Sequence, residues 1–260
     1  AERRARIRRA GDRGGAYQGF GRRAMNEAVR GSLGGELRRL AAEPTPAGLK
    51  RFLAALMSRG SEPTGRTVAE AAAWASQKAA DAAAPAPPDG PRPATGAEIR
   101  RWVLNLQEHY PEDIGVIAPL IFNLFELQPG GTIYLGAGTP HAYLEGLGIE
   151  LMANSDNVIR GGLTPKHMDV DELLSILRFQ GRSATLAEAE ETIPGLRVFR
   201  TPAEEFRLAE IHVHPGRPYR DPGSGSVELM IVIEGEGRIE GPDSLAVAKG
   251  DSFLIRASTG

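Results

Sequence analysis

Apolar positions in the first half of the chain recur at helical spacing. Leu49, Phe52, Leu53, Leu56 and Met57 fall on one face, Thr45-Pro46 supplies an N-cap and a first helical position, and Gly60 a stop. Thr67-x-x-Glu70 reads as a capping box opening an alanine-rich helix that runs to about Ala84. Thr95-x-x-Glu98 caps a further helix, whose Ile99, Trp102, Val103 and Leu106 form a single stripe. Between these two, Pro85-Ala-Pro-Pro-Asp-Gly-Pro-Arg-Pro breaks every pattern and is expected to be an exposed linker. Apolar stripes of this kind pack helix on helix, so residues 24–112 are expected to form a helical subdomain.

After Ile114 the period shortens. Leu120–Leu127, Thr132–Leu135 and Gly148–Met152 are short apolar runs between glycine and proline turns, the pattern of β-strands. One helix interrupts them, with Asp169 capping Val170–Leu177 and Glu172 placed to complete a capping box. A second β-rich stretch follows from about Val198 to Ile255. Its Val227–Val232 and Ser252–Ile255 runs flank Glu234-Gly-Glu-Gly and Lys249-Gly-Asp. Many short strands with glycine turns predict a jelly roll or barrel, and the fold class expected is mainly β with a helical insertion.

Composition narrows the function classes. A chain of 260 residues with 41% hydrophobic content can bury real cores and fits two or three modules. A formal net charge of −2 gives no general reason for nucleic acid or an anionic membrane as partner. Without cysteine there is neither a disulfide framework nor a thiolate metal site. No apolar run approaches the roughly 18–20 residues of a membrane span, and the first residues lack a signal-peptide core, so a cytoplasmic location is expected. Residues 1–23 are arginine-rich with little apolar pattern and are expected to be an irregular basic segment. The opening AERRARIRRAGDRGG has no aromatic residue on which a base could stack.

The informative stretch is 110–179. It contains Tyr110-Pro-Glu-Asp-Ile-Gly, then Gln128-Pro-Gly-Gly-Thr-Ile-Tyr-Leu-Gly-Ala-Gly-Thr-Pro-His-Ala-Tyr-Leu-Glu-Gly146, then Ile149-Glu-Leu-Met-Ala-Asn-Ser-Asp-Asn-Val-Ile-Arg-Gly-Gly-Leu-Thr-Pro-Lys166. These runs resemble the signature of type I mannose-6-phosphate isomerases, zinc enzymes of the cupin superfamily. The resemblance implies cupin (jelly-roll) barrels: the remainder of a metal-binding barrel over 113–197, with that first barrel incomplete, and a metal-free C-terminal barrel over 198–260.

The same resemblance gives the site. His141, in Gly138-Thr-Pro-His, stands where the family has a metal ligand, and imidazole suits zinc. Arg160 and Lys166 match the family's active-site segment. A guanidinium offers a planar fork to phosphate and an ammonium a point charge, and either of them could hold the phosphate. In a strand, positions two apart share a face, so Tyr143 is expected beside His141 as a substrate contact. Glu150 is a carboxylate inside an apolar run, Ile149–Met152, expected to face the pocket and to move protons.

The implied activity is zinc-dependent interconversion of mannose 6-phosphate and fructose 6-phosphate through an enediol. Arg160 and Glu150 would be catalytic, Lys166 and Tyr143 substrate-binding, and His141 the ligand of one zinc ion. The family takes its other ligands from a Gln-x-His pair and a His-Lys-Pro-Glu segment, neither of which is found here. They are expected from an absent N-terminal segment. Gln107-Glu-His109 has the spacing of the first but lies at a helix end, where the family has no ligand. A non-catalytic cupin that binds a sugar phosphate is the alternative. The expected partner is a hexose phosphate, with no nucleic acid and no membrane, and the complete protein is expected to be a monomer. His212-Val-His214 could hold a metal on one strand face, but it falls well before Glu228, and the C-terminal barrel is read as metal-free.

Overall fold

The computed structural model describes residues 25–77, 90–155, 158–181, 184–221, 223, 225–241 and 244–257. The basic segment 1–23, the far end of the alanine-rich helix, the linker residues 85–89, and Asp156 and Asn157 lie outside the described residues.

Helices dominate the first part: α1 (Arg30–Ala42), α2 (Pro46–Met57), α3 (Ser61–Ala75) and α4 (Gly96–His109). In α2, Thr45 accepts from the Gly48 N–H at 3.1 Å with Pro46 at the first position, as expected. In α4 both halves of the Thr95/Glu98 capping box form. The start of α3 differs from expectation. It begins at Ser61, not Thr67, because Pro63 sits in the first turn, where a missing N–H leaves no bond unmade. Thr67 is interior and fully buried, and its hydroxyl donates to the Pro63 carbonyl at 3.0 Å. Glu70 does cap a helix, but a different one. Val29, at the head of α1, has no side-chain acceptor, and Glu70 accepts from both the N–H and the hydroxyl of Ser32, at 3.0 and 2.9 Å. A carboxylate there also faces the positive end of the helix dipole. A Cβ on Gly31 would stand 2.2 Å from Glu70 Oε1, so a larger residue there would push the Glu70 carboxylate off its present position.

The main core belongs to these helices. Val29, Leu33, Leu37, Phe52, Leu56, Val68, Ala71, Trp74, Ile99, Val103 and Leu106 form one buried cluster. Val116, Ile117 and Leu120 complete it, from a 3₁₀ helix (Ile114–Ile117) and α5 (Ala118–Ile121). The expected strand Leu120–Leu127 is therefore mostly not a strand. Pro119 starts a helical turn, and only β2 (Phe125–Glu126) pairs, with β1 (Arg92–Pro93). Around that pair Arg92 bonds Glu98 at 2.8 Å and also Glu126.

The Arg92 guanidinium, helped by the Thr95 N–H, holds the Glu98 carboxyl down at about 2. A carboxyl depressed in the folded state contributes stability that is present above the ordinary glutamate range of about 4.3 and is lost as pH falls toward 2. Acid melts should therefore show destabilisation between about pH 4 and 2, and Glu98→Gln should flatten that part of the profile. An unchanged slope in the variant would count against the linkage.

Beyond β2 the described elements are short. Thr132–Leu135 keeps a single bridge, Ile133 to Leu186, and Gly148–Met152 is irregular. The helix α6 (Val170–Ile176) forms with Asp169 accepting from the Glu172 N–H at 2.9 Å. The strands β3 (Ala189–Ile193), β4 (Leu196–Phe199) and β5 (Ala209–Ile211) make one sheet. In two further antiparallel pairs, β6 (Glu228–Ile231) joins β9 (Ser252–Ile255) and β7 (Glu236–Ile239) joins β8 (Leu245–Ala248). Among the described residues the longest helices have 12–15 residues and the strands two to five. Strand pairing among these residues runs in sheets of two or three.

The chain divides into two compact units, Ala1–Glu188 with Phe199–Arg207, and Ala189–Val198 with Leu208–Gly260. The first holds the helical core. In the second, Leu229 lies opposite Leu254 across the β6–β9 pair, and both are well exposed.

Candidate active site

His141 arrives on a turn that α6 holds in place. Gly138 takes φ 76°, and a Cβ there would come within 2.5 Å of the Ile176 carbonyl oxygen, so the residue must be glycine. The Arg178 N–H donates to the Gly138 carbonyl at 2.9 Å, tying the turn to the end of the helix. Three residues on, His141 Nδ1 lies 3.0 Å from the Thr139 carbonyl, which directs the other ring nitrogen outward.

That nitrogen, Nε2, faces Glu150 Oε1 at 3.8 Å, and the Tyr143 hydroxyl donates to the same oxygen at 2.9 Å. The His141 and Tyr143 rings meet edge to face, with centroids 5.9 Å apart. Three of the five expected site residues are therefore one cluster, though not by the route expected. The backbone from Pro140 to Met152 is irregular, so strand alternation does not put His141 and Tyr143 together. Their shared contact with Glu150 does. Glu150 is not buried: its side chain is 43% exposed. Burial of its hydroxyl end and the Glu150 carboxylate both raise the Tyr143 phenol above its ordinary range. With Tyr143 71% exposed, the carboxylate is the contact on which that direction rests.

Arg160 and Lys166 are exposed and flank a second turn, Gly161-Gly162-Leu163. Gly162 has φ 134° and Leu163 φ 53°, the one positive-φ residue other than glycine among the described residues. No described carboxylate is ion-paired with either cation, and no bond among the described residues links them to the His141 cluster. Both clusters lean on the helical core, through Leu144 beside Tyr143 and through Leu163 between the two cations. A cavity of about 320 Å³ near Tyr134, Leu186 and Arg200 contains none of the five.

Sequence reasoning missed Asp113. Its carboxylate accepts the Gly115 N–H at 2.7 Å, capping the 3₁₀ helix, and the Leu163 N–H at 2.6 Å, fifty residues away. The Asp-x-Gly of Tyr110-Pro-Glu-Asp-Ile-Gly signalled the local cap; nothing local signalled the distant bond.

Zinc requires three or four protein ligands at about 2.0–2.3 Å. His141 and Glu150 offer two groups, and among the described residues no set of three histidine or carboxylate side chains could hold a metal ion. His109 instead bonds the Asn105 carbonyl through Nδ1, and His212 lies 3.2 Å from Glu210. The described residues do not by themselves fit a zinc ion.

Comparison with known proteins agrees with the motif. No family model matches the chain. Mannose-6-phosphate isomerase 1 of Arabidopsis thaliana is 38% identical over 160 residues, covering 61% of this chain and 37% of that protein. The Escherichia coli K12 mannose-6-phosphate isomerase is 35% identical over 155 residues, covering 59% and 39%. Among solved structures, mannose 6-phosphate isomerase from Salmonella typhimurium bound to fructose 6-phosphate and zinc superposes with a TM-score of 0.75. It is 28% identical and covers 92% of this chain and 57% of that one. A zinc-bound form of mannose 6-phosphate isomerase matches with a TM-score of 0.73.

The chain is thus similar in fold to cupin-fold sugar-phosphate isomerases. More particularly, over the residues that align it is similar to the type I mannose-6-phosphate isomerases. Its aligned stretch spans less than two-fifths of the curated relatives' length. None of the described helices is long and apolar enough to cross a membrane.

Proposed function

We propose that this chain carries the substrate-facing part of a zinc-dependent isomerase that interconverts mannose 6-phosphate and fructose 6-phosphate. The observation that carries the reading is the convergence of His141 and Tyr143 on Glu150 in a chain that is 38% identical over 160 residues to such an enzyme. His141 would give one zinc ligand, and the bound metal would supply Lewis-acid stabilisation of the substrate oxygens.

In the open-chain aldose, Glu150 takes the proton from C2. The electron pair left behind forms the C1–C2 double bond of an enediol, and the carbonyl oxygen at C1 gains a proton. Return of a proton to C1, with loss of the O2 proton, gives the ketose. The Tyr143 hydroxyl orients the carboxylate. Arg160 stabilises either the phosphate or the developing enediolate through its planar fork, and Lys166 supplies a point charge to the phosphate. The division into a basic segment to 23, a helical subdomain to 112 and two barrel regions meeting at 197, a cytoplasmic location, and a monomeric complete protein belong to the same proposal.

A second reading has one observation in its favour: with two groups where zinc needs three, the chain would bind a sugar phosphate without turning it over. Calorimetry with fructose 6-phosphate, zinc analysis after dialysis, and a coupled isomerase assay separate the two. Sugar-phosphate binding is expected in either case. Turnover with stoichiometric zinc would establish the isomerase reading for this chain, binding without either would favour the second, and no binding at all would sink both.

A further inference from the structure

Asp113 stands apart from the five residues named for the site, yet it is bonded to the segment that bears two of them. Its two carboxylate oxygens are divided between two backbone donors. Oδ1 accepts from Gly115 at 2.7 Å and Oδ2 from Leu163 at 2.6 Å. Leu163 lies three residues after Arg160 and three before Lys166, at the centre of the turn that carries both cations.

That turn is unfavourable on its own. A leucine at φ 53° has its Cβ crowded against the backbone, and a bulky residue stays in this region only where surrounding contacts hold it. Two contacts do so here. The Leu163 side chain packs on the helical core, and its N–H meets a charged acceptor at short range. The surroundings leave little room for an alternative. A Cβ on Gly115 would come within 2.8 Å of Leu163 Cγ, and a Cβ on Gly162 within 3.2 Å of Asp113 Oδ1. Gly115 and Gly162 are thus the residues that let the two segments close on one carboxylate.

We infer that Asp113 is a positioning residue for sugar-phosphate binding: its carboxylate fixes the Leu163 turn against the helical core, and so sets where Arg160 and Lys166 present their charges. The inference rests on the proposed sugar-phosphate role of those two cations. It adds that their placement is controlled from the helical side of the molecule, by a residue that need not touch the ligand. The physical reason is geometric. A guanidinium fork and an ammonium recognise one phosphate only if their backbone anchors keep a fixed separation, and a freed turn would spread that separation over many values.

Asp113→Asn distinguishes positioning from mere stability. Asparagine is as good an N-cap as aspartate, so the Gly115 bond is retained. Its second side-chain atom is then an NH2 group, which cannot accept from Leu163. Asp113→Ser is a second variant with the same logic, since its hydroxyl can cap Gly115 but is too short to bridge to Leu163.

The probe is fructose 6-phosphate, measured by calorimetry on the full chain, with thermal melts and the Leu163 amide resonance followed by NMR. In both variants the melt is expected to stay near wild type and the Leu163 amide proton to move upfield with faster exchange. Affinity for fructose 6-phosphate should fall roughly tenfold, as it does when only about a tenth of the freed turn's conformations keep the two cations in place. Wild-type affinity in variants whose Leu163 resonance has moved would overturn the inference. So would loss of the fold in both variants, which would make Asp113 a structural residue. If wild-type protein itself does not bind fructose 6-phosphate, the underlying reading of Arg160 and Lys166 fails and this inference falls with it, an outcome distinct from variants that bind as well as wild type.

Discussion

Arg160→Lys is expected to lower turnover about a hundredfold or more in a protein that joins this chain to the Gln-x-His and His-Lys-Pro-Glu segments of the isomerase family. The substitution keeps the charge and discards the two-pronged planar donor set, so the loss measures geometry and not sign. If the guanidinium acts on charge that develops during the reaction, kcat falls and KM changes little; if it grips the phosphate in the ground state, KM rises as well. Two companions locate the effect. His141→Ala should remove the metal and with it all turnover, visible as zinc lost on dialysis. Lys166→Ala should chiefly raise KM. Near wild-type kcat and KM for Arg160→Lys would remove that residue from the proposed chemistry.

The second large effect concerns stability. Leu33 is fully buried in the helical cluster, and Leu33→Ala should cost about 2–5 kcal/mol through lost burial and the cavity left behind. In a unit of this size that lowers the melting temperature by on the order of 10 °C. The same change at Leu229, 77% exposed on β6, should stay within about 0.5 kcal/mol. Urea melts followed by circular dichroism would compare the two, and equal losses would contradict the placement of the core in the helices.

The two leucines also show where the sequence was legible. Helical stripes and caps written in adjacent residues are legible at Thr45 and Thr95, and at Asp169 for the cap though not for the Glu172 half of the box, because every group involved lies within four positions. Thr67–Glu70 has the same local spelling, yet Glu70 is taken by Ser32, thirty-eight residues away, and a pattern of spacing cannot weigh a partner that far off. In the β region the apolar runs Val227–Val232 and Ser252–Ile255 contain β6 and β9, while Ile149–Met152 has the composition of a strand but pairs with none among the described residues. The site followed the same division. His141, Tyr143 and Glu150 were named from motif resemblance, and the structure brings them together; the bond from Asp113 to Leu163 left no local trace.

The order of the core residues along the chain has a consequence during synthesis. The buried cluster runs from Met25 to Leu120, and everything that completes it has been polymerised before the glycine turns of the candidate site are made. Domains fold as units while the ribosome is still adding residues, and helices that pack on near neighbours close quickly. The helical cluster can therefore be finished when Leu144 and Leu163 emerge, so that each meets a surface already in place. Asp113, capping the last part of that cluster, would be waiting in position some fifty residues before the N–H it binds leaves the exit tunnel.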